Sequence, residues 1–211
     1  MNTSHKKPTR KFGSSYFIGG LACIDFCNTV DHLHSPPTYD VLTDYAAVLE
    51  WGKAAGMISK SAHSHPASKH RPLADLLSVR ALVFRILWPI SRGEEPARAD
   101  LDAFNARWQK VSSELRITFA KDRYLLAGSS GDPLKRIQTA VVRSLTDFLV
   151  SGQLVRVHRC GGCGWIFYDT SRNHLRRWCL MKICGNRAKA HRHYQRMKKA
   201  KTGASVQSNI R

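Results

Sequence analysis

Acidic side chains are what this sequence most lacks: 15 Asp and Glu stand against 34 Lys and Arg, a formal charge of +19. Solubility requires far less, so the imbalance points to a polyanionic partner, nucleic acid first and an anionic membrane surface as its rival. Long apolar runs are lacking as well. None approaches the roughly 18 residues of a spanning helix. The stretch 12–30 is interrupted by Gly13, Ser14, Ser15, Gly19, Gly20, Asp25 and Asn28, which leaves no signal-peptide core. The expectation is a cytoplasmic protein with no membrane partner. The sequence also lacks a P-loop, a G-x-G-x-x-G fingerprint, a G-x-S-x-G elbow and H-E-x-x-H, so no enzyme is expected.

What remains can be organised along the chain. At 211 residues and 43% hydrophobic, it can bury one proper core and a small appended unit. Residues 1–15 carry His5, Lys6, Lys7, Arg10 and Lys11 among Ser, Thr and Pro, and read as a flexible basic arm. Residues 16–152 form the main domain. Its first apolar stretch, 21–30, suits a buried strand or a short helix, with helix preferred. Helical spacing follows in 43–52, 73–91, 96–113 and 133–150, and the histidine-rich 59–72 is a loop. Two short β-prone runs, 115–119 and 124–127, flank a polar turn and predict a hairpin. The fold class is therefore α+β: a mostly helical domain with a small antiparallel sheet, then a small cysteine-bearing module.

That module is marked by charge and by cysteine. From 156 to 201 there are 13 Lys and Arg against Asp169 alone, a net of +12. Cys160 and Cys163 are separated by two residues, Cys179 follows after fifteen, and Cys184 after four more. Paired spacing of this kind suits one structural tetrahedral Zn²⁺ held by Cys160, Cys163, Cys179 and Cys184, in a treble-clef or ribbon-like finger over 156–201. Trp165, Ile166 and Phe167 read as a short strand roofing the metal. From Cys179 onward the pattern is helical. Lys189, Arg192, Arg196 and Lys199 share one face and are candidate phosphate contacts, with Arg172, Arg176, Arg177 and Arg187 beside them. Ala190, Tyr194 and Met197 fall on another face, expected to pack on the zinc core. Residues 202–211 read as a flexible tail.

Two segments resemble a known family. Cys184-Gly185-Asn186-Arg187, with the upstream cysteines and DTSRN at 169–173, resembles the CGNR zinc finger of bacterial proteins. GGLACIDFCNT at 19–29 resembles the start of the ABATE domain that precedes this finger. The resemblance implies a stress-induced transcription regulator, or an RNA-binding zinc-ribbon-like protein, and zinc on the four cysteines. Asn186 is then expected to brace the loop and Arg187 to meet phosphate or lock the knuckle. Asp25 and Asn28, polar residues within an apolar stretch, line a ligand pocket or brace a neighbouring loop. Cys23 and Cys27 read as small core residues. The leading expectation is a DNA-binding transcription regulator whose N-terminal domain senses a small-molecule effector or mediates a homodimer. RNA binding is the alternative, and a receptor or enzyme with an accessory finger is the rival of another class.

Overall fold

A computed structural model of the chain describes residues 12–34, 37–63, 73–120, 122–128 and 130–207, with side chains to 198. Most of the expected basic arm, residues 64–72 of the histidine-rich loop, the Lys199 side chain and the last four residues lie outside the described set. Helix α1 is Ala22–Cys27, α2 Tyr45–Ala54, α3 Leu73–Ile90, α4 Arg98–Ser112 and α5 Pro133–Val150. Strands β1 (Leu115–Ala120) and β2 (Arg123–Gly128) form the expected antiparallel hairpin between α4 and α5. Two caps set helix starts: Asp44 accepts from the Ala47 amide at 2.8 Å, and Asp132 accepts from the Leu134 amide at 3.0 Å, with Pro133 as first helical residue. Among the described residues no helix is long and apolar enough to cross a membrane.

The core lies where the apolar stripes of α1, α2, α3 and α5 converge. Cys23, Ile24, Phe26, Cys27, Trp51, Val83, Ile86, Leu87, Ile137, Val141 and Leu145 are fully or almost fully buried there. The preference for helix over strand at 21–30 is thus met, and both early cysteines are core residues. Burial pushes the Cys23 thiol up to about 12, leaving it a small inert apolar group. Arg80 is buried near them. Arg80 of α3 donates to both carboxylate oxygens of Asp40 at 2.8 and 2.6 Å and to Thr29 Oγ1 at 3.0 Å. This fastens the 29–41 loop, whose Val30 and Asp40 form a β-bridge.

The C-terminal module begins with a second hairpin, β3 (Val157–Arg159) and β4 (Ile166–Tyr168). Strand β3 had no sequence counterpart, being only three residues long. The hairpin is no free satellite. Val157 and Ile166 belong to the same apolar core as α1–α5. The side chain of Asn28, at the end of α1, supplies the missing neighbour for β4: Nδ2 donates to Ile166 O at 2.8 Å, and the Ile166 amide donates to Oδ1 at 3.1 Å. Close by, the Tyr168 amide donates to Gly19 O at 2.7 Å. Of the two roles open to Asn28 the structure shows bracing, though of a strand 138 residues away.

Asp25 also faces inward. One carboxylate oxygen accepts from the Gly19 amide at 2.7 Å. It borders a solvent-open cleft of about 570 Å³ lined by Phe12, Phe17, Leu21 and Met57. Burial pushes its carboxyl up to about 6, against that hydrogen bond.

Two outcomes follow. Asn28→Ala leaves a buried amide and a buried carbonyl unpaired and should cost about 2–4 kcal/mol in denaturant unfolding; a change within error would remove its bracing role. Native Asp25 retains a proton that the unfolded chain releases between about pH 4 and 6, so its contribution to stability falls as pH rises through that window. Asp25→Asn, which keeps an acceptor for Gly19, should therefore gain roughly 2 kcal/mol on the native chain between pH 4 and pH 7. A pH-independent difference between the two would contradict the buried-acid reading.

Candidate metal centre and basic helix

The first knuckle is the loop of the β3–β4 hairpin. The Cys160 amide donates to Trp165 O at 2.8 Å and the Gly164 amide to Cys160 O at 3.0 Å, which turns the chain back within four residues. Gly164 has φ +75°, a backbone conformation that favours glycine, and a Cβ there would lie 2.1 Å from Leu33 Cδ1, so any side chain would also have to displace Leu33. At Gly162 a Cβ would press on Cys184 Cβ at 3.1 Å, because the second knuckle closes directly over it. That second knuckle is a π-helical turn, Met181–Gly185, flowing into helix α6, Asn186–Gln207. The Cys184 amide donates to Leu180 O at 2.9 Å, and Asn186 Nδ2 donates to Lys182 O at 3.1 Å.

These turns bring the four sulfurs within 4.8 Å of one another. Cys163 and Cys179 Sγ are 3.6 Å apart, Cys179 and Cys184 Sγ 3.8 Å, and all four cysteines are free of disulfides. A tetrahedron of ~2.3 Å zinc–sulfur bonds has edges of ~3.8 Å, so the spacing fits that ion. The thiols also call for a cation. Without one they share protons: hydrogen bonds from Cys163 and Cys179 hold Cys160 far below the thiol range, while the bond to Cys160 pushes Cys163 up to about 12 and Cys179 higher still. A divalent ion removes that conflict by stabilising every thiolate. Three sulfurs are buried and Cys163 is exposed. His191 and His193 lie out on α6, away from this cluster.

A buried acid holds the linker between the knuckles. Asp169 is fully buried and accepts from the Ser171 amide at 2.8 Å and the Arg176 amide at 2.9 Å. Burial opposes its ionisation, but the hydrogen bonds of Ser171 and Arg176 outweigh it and hold the carboxyl down to about 2. Its role was not read from the sequence, although one acid among 13 cations was the available signal. Arg176, expected among the phosphate contacts, has its guanidinium engaged inside the module. Nε donates to Trp178 O at 3.0 Å, Nη2 donates to Cys179 O, and the group lies 4.9 Å over the Phe167 ring.

The other expected contacts are on the surface. Arg172, Arg177, Arg187, Lys189, Arg192 and Arg196 are exposed. One expectation needs correcting: Ala190, Tyr194 and Met197 do not pack on the metal core. All three are exposed, Tyr194 at 63% and Met197 at 50%. The reason is that α6 leaves the body after the second knuckle, and residues 189–198 are exposed on every side. The helix also continues through 207, beyond the point where a tail was expected.

The two knuckles are thus held differently. The first is built into the core through Asn28, Val157 and Ile166, whereas the second meets the first at the sulfur cluster, where Gly162 lies against Cys184 and the Gly161 amide donates to Arg177 O at 3.2 Å. Chelation should expose amides 179–185 to hydrogen exchange while α3 and α5 keep their protection. Equal loss in all of them would show that the ion supports the whole fold.

Comparison with known families agrees with this division. A model described as the CGNR zinc finger matches residues 156–197, and the ABATE model, described as "Putative stress-induced transcription regulator", matches residues 20–152. A comparison with curated proteins gave no match. With the ABATE match covering more than half of the chain and the CGNR match falling on the four-cysteine cluster, the chain belongs to the ABATE family and carries a CGNR zinc finger.

Proposed function

We propose that this protein is a DNA-binding transcription regulator, in which a finger built on one structural Zn²⁺ presents α6 to a nucleic-acid duplex. The observation that carries this reading is the state of α6. Over residues 189–198 the helix is exposed all round, and no Asp or Glu occurs anywhere after Asp169. Among the described residues, no ion pair engages Arg172, Arg177, Arg187, Lys189, Arg192 or Arg196. A helix spanning 22 residues is about 33 Å long, and a free helix of that girth suits the major groove of B-form DNA, with its cations on flanking phosphates. The family's description as a transcription regulator supports the same reading.

A non-enzymatic role accords with the metal site, because four thiolates complete the tetrahedron and leave no position for substrate. The solvent-open cleft beside Asp25 is where a small-molecule effector would act on the N-terminal domain. A second reading, RNA binding, draws on Tyr194, an exposed aromatic on the face of α6 turned away from Arg192 and Arg196, on which an unpaired base can stack.

Titrating the zinc-loaded chain with duplex DNA and with structured RNA at several salt concentrations tests both readings. Duplex DNA should win the competition. Replacing Lys189, Arg192 and Arg196 by Ala should weaken binding of every sequence and reduce the salt slope by roughly 3. Unaltered affinity in that variant would refute the helix as the contact surface, and preference for RNA, lost in Tyr194→Ala, would favour the second reading.

A further inference from the structure

The β1–β2 hairpin lies almost wholly in solvent, and its two faces differ in kind. The register sets Ile117 opposite Leu126 and Phe119 opposite Tyr124. Strand alternation gathers these four on one face, with half-buried Leu115 at the base, and sends Arg116, Thr118, Arg123 and Leu125 to the other. The apolar four are not residual surface. Ile117 is 75% exposed, Phe119 64%, Tyr124 77% and Leu126 39%, and the Phe119 and Tyr124 rings pack on each other at 5.1 Å. Among the described residues the sheet has two strands, so both outer edges also carry open backbone donors and acceptors. A two-stranded hairpin left in this state is at best marginal in water.

We propose that this hairpin is a homodimer interface, covered by the hairpin of a second copy of the same chain. Charge does not oppose that occupant. Two copies at +19 each repel wherever basic surfaces meet, yet the apolar face of the hairpin bears no charged side chain, so the copies approach there without opposing like charges. Area agrees. The four exposed side chains leave roughly 500–600 Å² uncovered, the upper end for the largest patch on a monomer. Mutual burial removes about twice that, before any pairing of the open edges, and reaches the ~1,000 Å² of a specific interface. A two-fold axis through the hairpins satisfies the same patch on both copies at once, which closes the assembly at two. The finger is attached elsewhere: β1 and β2 join α4 to α5, whereas β3 and β4 pack on α3 and α1.

Light scattering of the full zinc-loaded chain, without nucleic acid and across the micromolar range, reads the outcome separately from the proposed DNA binding. The expected mass is twice the 23.8 kDa of one chain. Phe119→Glu combined with Tyr124→Glu should halve it with unchanged far-ultraviolet circular dichroism, while Arg123→Ala on the opposite face should leave the dimer intact. Hydrogen exchange on the unaltered chain provides a readout independent of any variant: amides of 116–125 should gain protection as concentration rises. A native chain that stays monomeric, a dimer that survives the double substitution, or hairpin amides indifferent to concentration would each overturn the proposal.

Discussion

The side-chain amide of Asn28 stands where a neighbouring strand would otherwise be. By donating to Ile166 O and accepting from the Ile166 amide, it gives a three-residue strand the two hydrogen bonds that a buried position demands. Everything downstream is positioned from that point. β4 carries Phe167 against the cysteine cluster, the turn before it forms the first knuckle, and the second knuckle, which runs into α6, closes on that turn. A helix well outside the core is thus aimed by an amide within it. In the proposed complex with DNA, preorganisation of this kind would reduce the entropy lost on binding, because the basic helix need not first find its orientation.

The sequence made the helices legible because their apolar stripes are long. Helix α5, with Ile137, Val141 and Leu145 in register behind Asp132 and Pro133, matches its expected bounds of 133–150. The four cysteines were equally plain, since the spacing of ligands is a local property. Strand β3 was not legible: three residues give no periodicity, and its pairing with β4 is fixed by the knuckle between them. The partner of Asn28 was hidden for a related reason. A polar residue in an apolar run announces that it needs a hydrogen bond, but not that the bond lies 138 residues away. The apolar positions on α6 misled in the opposite sense. Ala190, Tyr194 and Met197 recur at helical spacing, which signals a buried stripe only when some surface lies opposite, and none does.

Charge is sorted by depth as well as along the chain. The acids near the finger do structural work: Asp169 gathers the 169–176 loop, and Asp40 neutralises buried Arg80. Both are held ionised by their partners even though burial opposes it. Among the described residues, Arg172, Arg177, Arg187, Lys189, Arg192 and Arg196 therefore meet water without an ion-pair partner, and their field extends into solvent over about one Debye length. Arg176 illustrates how the same residue type divides. Its planar guanidinium suits two carbonyls and an aromatic face, a geometry that a lysine ammonium cannot reproduce.

The placement of Val157 and Ile166 in the helical core bears on how such a protein can change over evolutionary time. A finger that folds by itself can be shuffled between unrelated chains, with only a linker to accommodate. Here the recipient would also need an asparagine at the end of a short helix, a carbonyl at the place of Gly19 and an apolar bed for two strand residues. Segments 19–28 and 157–168 therefore constrain each other, and a substitution in either is felt first by the other.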